Sequence, residues 1–157
     1  MRFMLDSIDH SIVSVLQEDG RISNVQLAEK VGLSPSACLR RVQILEDRGI
    51  ITGYAAMIDA AALGRSTHII VAITLDRQSE DYLSAFEIAV ADCPDVMECY
   101  LMAGDADYVL RLQARDAADY ERIHKEYLSR LPGVARIQSS FALRQVVRRT
   151  GVHLDAH

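Results

Sequence analysis

Chemistry in this sequence concentrates between Asn24 and Arg48, in NVQLAEKVGLSPSACLRRVQILEDR. Ser36, Arg40 and Gln43 fall on one side of a short predicted helix, with Arg41 flanking them. Guanidinium and amide groups at that spacing can pair with base edges and phosphates in a DNA major groove. Catalysis has no comparable set. No Ser/His/Asp, Cys/His or paired-carboxylate group sits at a recognisable spacing, and His68 and His124 stand singly in a predicted strand and helix. Cys38, Cys93 and Cys99 are scattered, with no CxxC or His-rich run. Free cysteine is usually core, so no catalytic residue, metal site or cofactor is expected.

Two short helices must position that polar face. Leu27, Ala28 and Val31 give the first its apolar stripe, and Gly32 supplies the left-handed residue that ends it. Leu33 anchors the turn. Ser34 is the N-cap of the second helix, with Pro35 at its first position. Cys38, Leu39, Val42 and Leu45 are expected inward. An ordinary helical hairpin with solvated arginines is the alternative. The turn chemistry, the shortness of both helices and the polar N-terminal half of the second favour helix-turn-helix. The expected DNA-binding residues are Asn24, Ser34, Pro35, Ser36, Arg40, Arg41 and Gln43.

The 157 residues are half apolar and a quarter charged, an ordinary globular composition. No apolar run approaches the ~20 residues that span a bilayer, and MRFMLDSID lacks a signal-peptide core. A cytoplasmic protein without membrane contact is expected. The net charge of −5 argues mildly against a nucleic-acid binder as a whole but says little about one face. Residues 1–50 are nearly neutral, so one copy should bind DNA weakly and linked copies better.

Residues 6–19 read as a helix capped by Asp6, Ser7 or Asp9, with Ile8, Ile12, Val15 and Leu16 inward and Gly20 at its end. Ser23 or Asn24 caps the next. Ile50, Ile51 and 54–58 are extended and β-prone, and 59–64 make a turn of helix. Three parts follow: 1–58, helical with a linker strand; 59–66, a hinge; and 67–157, a second domain.

That second domain repeats itself. Strand 68–76, helix 79–92 and strand 96–102 are followed by strand 108–114, helix 116–130 and strand 134–143. Each helix enters its strand through similar punctuation, Cys93-Pro94-Asp95-Val96 and Leu131-Pro132-Gly133-Val134. The fold class is α+β: a three-helix unit, then a ferredoxin-like βαββαβ domain with both helices on one sheet face. Ile69, Val71, Ile73 and Leu75 fill one side of the first strand, yet Ile70 and Ala72 face the other. Met97, Cys99 and Val109 make the companion strands two-faced as well. A sheet apolar on both faces is usually covered on both, so a second copy is expected and the chain should dimerise. The basic end, with Arg144, Arg148 and Arg149, reads as solvated.

From about Leu5 to Arg148 the chain resembles the Lrp/AsnC family, the leucine-responsive and asparagine-operon regulators. The resemblance is carried by Leu5-Asp6-x-x-Asp9, Asp19-Gly20-Arg21-Ile22-Ser23-Asn24, Leu33-Ser34-Pro35-Ser36-x-Cys38-Leu39-Arg40-Arg41-Val42 and Gly53-Tyr54-x-Ala56. Glu98-Cys99-Tyr100-Leu101, Gly104-Asp105-x-Asp107-Tyr108 and Leu131-Pro132-Gly133-Val134 extend it. It implies a transcriptional regulator that binds double-stranded DNA, dimerises through its sheet, assembles further (often as an octamer), and binds a free amino acid between sensor domains. Segment 51–58 looks like the family linker that helps join two subunits.

On that resemblance the effector site comprises Tyr100, Gly104, Asp105, Asp107, Ser139 and Ser140. An ammonium needs an acceptor and a carboxylate needs N–H donors; an aspartate beside a glycine supplies both. A plain hairpin turn is the alternative reading of this loop. Ala37 stands where some relatives have a second proline, and Ser139-Ser140 replaces larger or threonine-bearing walls. Met102 nearby favours an apolar effector, leucine or methionine. Two rival functions are a ligand-independent DNA-organising protein and a sirohaem decarboxylase-like enzyme. An intact polar face on the second turn helix counts against the enzyme.

Overall fold

A computed structural model describes residues 5–154. It divides into two compact units after Met57, and the chain from Val147 on groups with the first.

The first unit contains α1 (Ser7–Glu18), α2 (Asn24–Val31) and α3 (Pro35–Asp47). Ile12, Leu27, Ala28, Cys38 and Leu45 are buried together, with Ile8, Val15, Leu16, Val42, Ile50 and Ile51 packed around them. Leu39 departs from expectation, being 48% exposed. At 100° per residue, Cys38, Val42 and Leu45 define the buried stripe and Leu39 falls about a quarter-turn off it.

Residues 52–58 have no regular secondary structure and join no sheet among the described residues. The expected linker strand is therefore unpaired, with Tyr54, Met57 and Ile58 more than half exposed. A strand needs a partner for its backbone groups, and this chain offers none there. Residues 60–64 form a hydrogen-bonded turn, opened by the Asp59 carboxylate accepting from the Ala61 N–H at 2.9 Å.

The second unit contains β1 (Thr67–Leu75), α4 (Glu80–Ala91), β2 (Val96–Leu101), β3 (Tyr108–Ala114), α5 (Ala117–Glu126) and β4 (Val134–Phe141), with a short 3-10 turn at Leu128–Arg130. The sheet is antiparallel in the order β2-β3-β1-β4, as the ferredoxin-like reading requires. Ile69, Val71, Ile73, Tyr108, Leu110 and Leu112 pack against Phe86, Val90, Tyr120 and Ile123 of the helices. Cys99, opposite Leu110, belongs to this helix-bearing face. The other face carries Ile70, Ala72, Val109 and Tyr100, interrupted by an Arg111–Glu98 ion pair at 2.8 Å. No helix of the described residues is long and apolar enough to cross a membrane.

Candidate functional site

Capping fixes the turn between α2 and α3. The Ser23 hydroxyl accepts from the Gln26 N–H while the Gln26 side chain accepts from the Ser23 N–H, a complete capping box. Gly32, at φ 71°, closes α2 in the left-handed conformation. Ser34 accepts from the Ala37 N–H at 3.3 Å, and Pro35 opens α3 without wasting a donor. Asn24 Nδ2 donates to the Pro35 carbonyl at 2.8 Å, tying the start of α2 to the start of α3.

The expected DNA-binding residues therefore separate. Ser36, Arg40 and Gln43 are exposed on the outer side of α3, and Arg40 makes no ion pair among the described residues. Asn24, Ser34 and Pro35 build the turn that holds this face. Arg41 points elsewhere: its Nη1 donates to Asp6 at 2.7 Å and to Asp9 at 2.8 Å. The Asp9 N–H and Arg41 hold the Asp6 carboxyl below the usual carboxylate range, and the two carboxylates raise Arg41. Spacing placed Arg41 beside the groove-facing side chains, but Asp6, the N-cap of α1, and Asp9 in its first turn claim it.

The expected effector residues separate too. Gly104 and Asp105 lie exposed in the loop between β2 and β3. Asp107 is buried and committed, accepting from the Leu75 N–H at 2.7 Å and from Gln78 Nε2 at 2.6 Å. Its own N–H donates to the Ile73 carbonyl, and its carbonyl accepts from Met102. Asp107 braces the loop. Tyr100 and Ser140 lie on the open sheet face, whereas Ser139 lies on the helix face, hydrogen-bonded to the Tyr120 hydroxyl. Neighbours in a strand point opposite ways.

Register also separates the serines from the loop. Ser139 and Ser140 pair with Val71 and Ile70, while the loop leaves the sheet at Tyr108, opposite Ile73. Those positions are two to three residues apart on β1, about 7–10 Å. The loop lies toward the start of β4, where Val134 meets Leu75, and away from the end that carries the serines. A recess of about 350 Å³ between α4 and β2, lined by Val90, Val96, Met97, Cys99 and Leu101, contains none of the six.

Sequence reasoning missed the polar network beside α5. Buried Asp95 accepts from Arg65 at 2.6 Å and from Arg122 at 3.3 Å, and buried Asp119 accepts from Arg115 and Arg122. The Arg115 N–H and guanidinium hold the Asp119 carboxyl far below the usual range. Cap position is a local signal for Asp119, whose N–H the Asp116 cap of α5 accepts from; nothing local marks Asp95 or the arginines.

Comparison with known proteins matches these two units. Residues 68–152 fit the Lrp/AsnC ligand binding domain, and residues 5–52 fit a winged helix-turn-helix DNA-binding family, although no strand occurs among residues 5–52 here. The chain is 44% identical over 146 residues to the Bkd operon transcriptional regulator of Pseudomonas aeruginosa, covering 93% of this chain and 95% of that one. It is 42% identical over 142 residues to the leucine-responsive regulatory protein of Escherichia coli, covering 90% and 87%. A crystallised transcriptional regulator of Neisseria meningitidis, in complex with L-Met, superposes with a TM-score of 0.91 at 35% identity, covering 97% and 98%. Helix-turn-helix unit, ferredoxin-like unit and both kinds of likeness agree: the chain belongs to the Lrp/AsnC family and is a DNA-binding transcriptional regulator with a ligand-binding domain.

Proposed function

We propose that this regulator reads DNA with the outer face of α3 and that an amino acid, held by the second domain, changes its assembly or its DNA affinity. The observation that carries the first half is the exposed Ser36, Arg40 and Gln43 face, unclaimed by ion pairs among the described residues, on a helix whose start is fixed by Asn24 and Ser34. Arginine to guanine is the commonest specific base contact.

For the effector, Gly104 and Asp105 offer amides and a carboxylate on an exposed loop that Asp107 holds in place. These groups complement a zwitterion. Tyr100 stands on the open sheet face beside the loop, whereas Ser140 stands on the same face farther along β1, so the serine and the loop do not close a site around a ligand within one chain. A site shared between copies accounts for both facts and makes ligand binding and assembly reciprocal, with a coupling of about 1–3 kcal/mol. A second copy on the open face would cover Ile70 and Tyr100, giving a dimer that higher assembly, such as an octamer, extends. Met102, 44% exposed beside the loop, suits an apolar side chain. Leucine or methionine is the proposed effector, as L-Met is the ligand in the Neisseria complex.

Titration calorimetry with the twenty amino acids tests this reading. One apolar amino acid should release heat with the parent and not with Asp105→Ala, whose unfolding temperature stays at the parent value. Equal heat from both proteins refutes the loop, and no heat from any amino acid favours a ligand-independent DNA organiser.

A further inference from the structure

The basic end of the chain does not hang free of the first unit. Residues from Val147 on group with the three helices, and the contact is specific. The Gln17 side chain of α1 donates from Nε2 to the Val152 carbonyl at 3.2 Å and accepts from the Val152 N–H at 2.5 Å. One amide thus satisfies both backbone groups of a single residue, as a neighbouring strand would. Gly151 lies flat against it: a Cβ there would stand 3.0 Å from Gln17 Oε1 and 3.1 Å from Cδ. Thr150 adds a contact to the Met57 sulfur at 3.8 Å. The tail is clasped at Thr150–Val152, immediately after Arg148 and Arg149.

Both arginines are exposed and form no ion pair among the described residues. Their charge matters to this unit. Residues 5–57 carry five cations (Arg21, Lys30, Arg40, Arg41, Arg48) against seven carboxylates (Asp6, Asp9, Glu18, Asp19, Glu29, Glu46, Asp47). Arg41 is already held by Asp6 and Asp9. A body of that balance is poorly suited to a polyanion, and the two tail arginines bring it to neutrality. Location fits as well. Gln17 sits in the last turn of α1, and the chain reaches the N-cap of α2 at Ser23 six residues later. In a helix-turn-helix, the first helix of the motif crosses the phosphate backbone while the second enters the groove.

We infer that residues 147–152 form an anchored arm of the DNA-binding unit, in which Arg148 and Arg149 contact phosphates flanking the segment read by α3. The inference rests on the DNA-binding reading of α3. It assigns the arginines an affinity role without sequence preference, because phosphate contacts position a protein while base contacts specify. Gln17 and Gly151 are positioning residues that hold the arm.

The test is the salt dependence of binding to a short mixed-sequence duplex, read by fluorescence anisotropy, since the phosphate contribution is independent of sequence. Each lost phosphate contact lowers the slope of log K against log salt by about 0.9, so Arg148→Ala with Arg149→Ala should lower it by about 1.8. The parent-to-variant affinity ratio should then fall about tenfold between about 50 and 200 mM salt. Gln17→Ala keeps both charges but releases the arm, and its slope should move toward that of the double variant. Circular dichroism should show all variants folded. A double-variant slope equal to the parent's overturns the inference; so does a Gln17→Ala slope equal to the parent's, which would mean that charge acts without anchoring. Arg40→Ala in the same assay separates the two levels. If it weakens binding while the tail variants do not, the arm alone is wrong; if neither matters, phosphate contact by the tail and by Arg40 is wrong alike.

Discussion

Asp107→Ala separates two roles that a single acidic residue in a loop can have. The resemblance to the family assigns Asp107 to the effector, yet its carboxylate is already spent on the fold. Removing it orphans the Leu75 N–H in a residue that is 5% exposed, and releases Gln78. A buried donor left unsatisfied costs about 1–3 kcal/mol, and a hydrogen bond to a charged group contributes a further ~1.5–3 kcal/mol. Water reaching the half-open Gln78 side recovers part of that, so the net loss should be about 2–4 kcal/mol. For a domain of this size each kcal/mol moves Tm by roughly 4–8 °C. Scanning calorimetry should therefore show the second-unit transition falling by about 10 °C or more. Asp107→Asn keeps one oxygen for the Leu75 N–H and, with a turn of the Gln78 amide, a second hydrogen bond, so its loss should be less than half as large. An alanine variant that keeps its Tm within about 2 °C of the parent while losing the heat of effector binding would refute this reasoning. Asp107 would then be a direct ligand.

Arg41→Ala should lower the urea midpoint of the first unit by the equivalent of about 1–2 kcal/mol, because the nearly buried Asp9 loses its cation; a partly exposed arginine keeps the figure below that of a fully buried pair. Arg40→Ala should leave that midpoint unchanged, and equal midpoints for both variants would reverse the roles given to the two arginines. Asp119 adds a pH dependence. Its carboxyl is held far below the usual range by Arg115 and Arg122, so the stability it contributes is complete above the unfolded carboxylate value of about 4. That contribution is lost as pH falls further toward the folded value. Urea titrations at stepped pH should show this loss in the parent and a flatter profile in Asp119→Asn; identical profiles would show that the ion pairs do not set the acid limb.

Local chemistry in the sequence determined most of the elements. Ser23, Gly32, Ser34 and Pro35 are punctuation whose effect is confined to a few residues, and each acts in the structure as its type requires. Period-two burial in β1 and β3 likewise follows from the pleat, and the repeated Pro-containing entries mark where β2 and β4 begin. Two strand–helix–strand units in succession leave few ways to pair, and the order β2-β3-β1-β4 is the ferredoxin-like one.

Tertiary structure decided which polar groups remain free. Arg40 and Arg41 are adjacent and chemically identical, and only the packing of α1 against α3 brings Asp6 and Asp9 to one of them. Asp105 and Asp107 differ in the same way, since Leu75 and Gln78 approach the second from about thirty residues away. Ser139 and Ser140 are divided by the pleat once register is fixed, which sends one to Tyr120 and the other to the open face. The tail arginines read as solvated because nothing near them in sequence contacts them; their anchor, Gln17, lies 135 residues earlier than Val152. Capping, pleating and helical spacing act over a few residues and are legible in order along the chain. Whether a charge or amide is available to a ligand depends on partners distant in sequence, and packing alone supplies those.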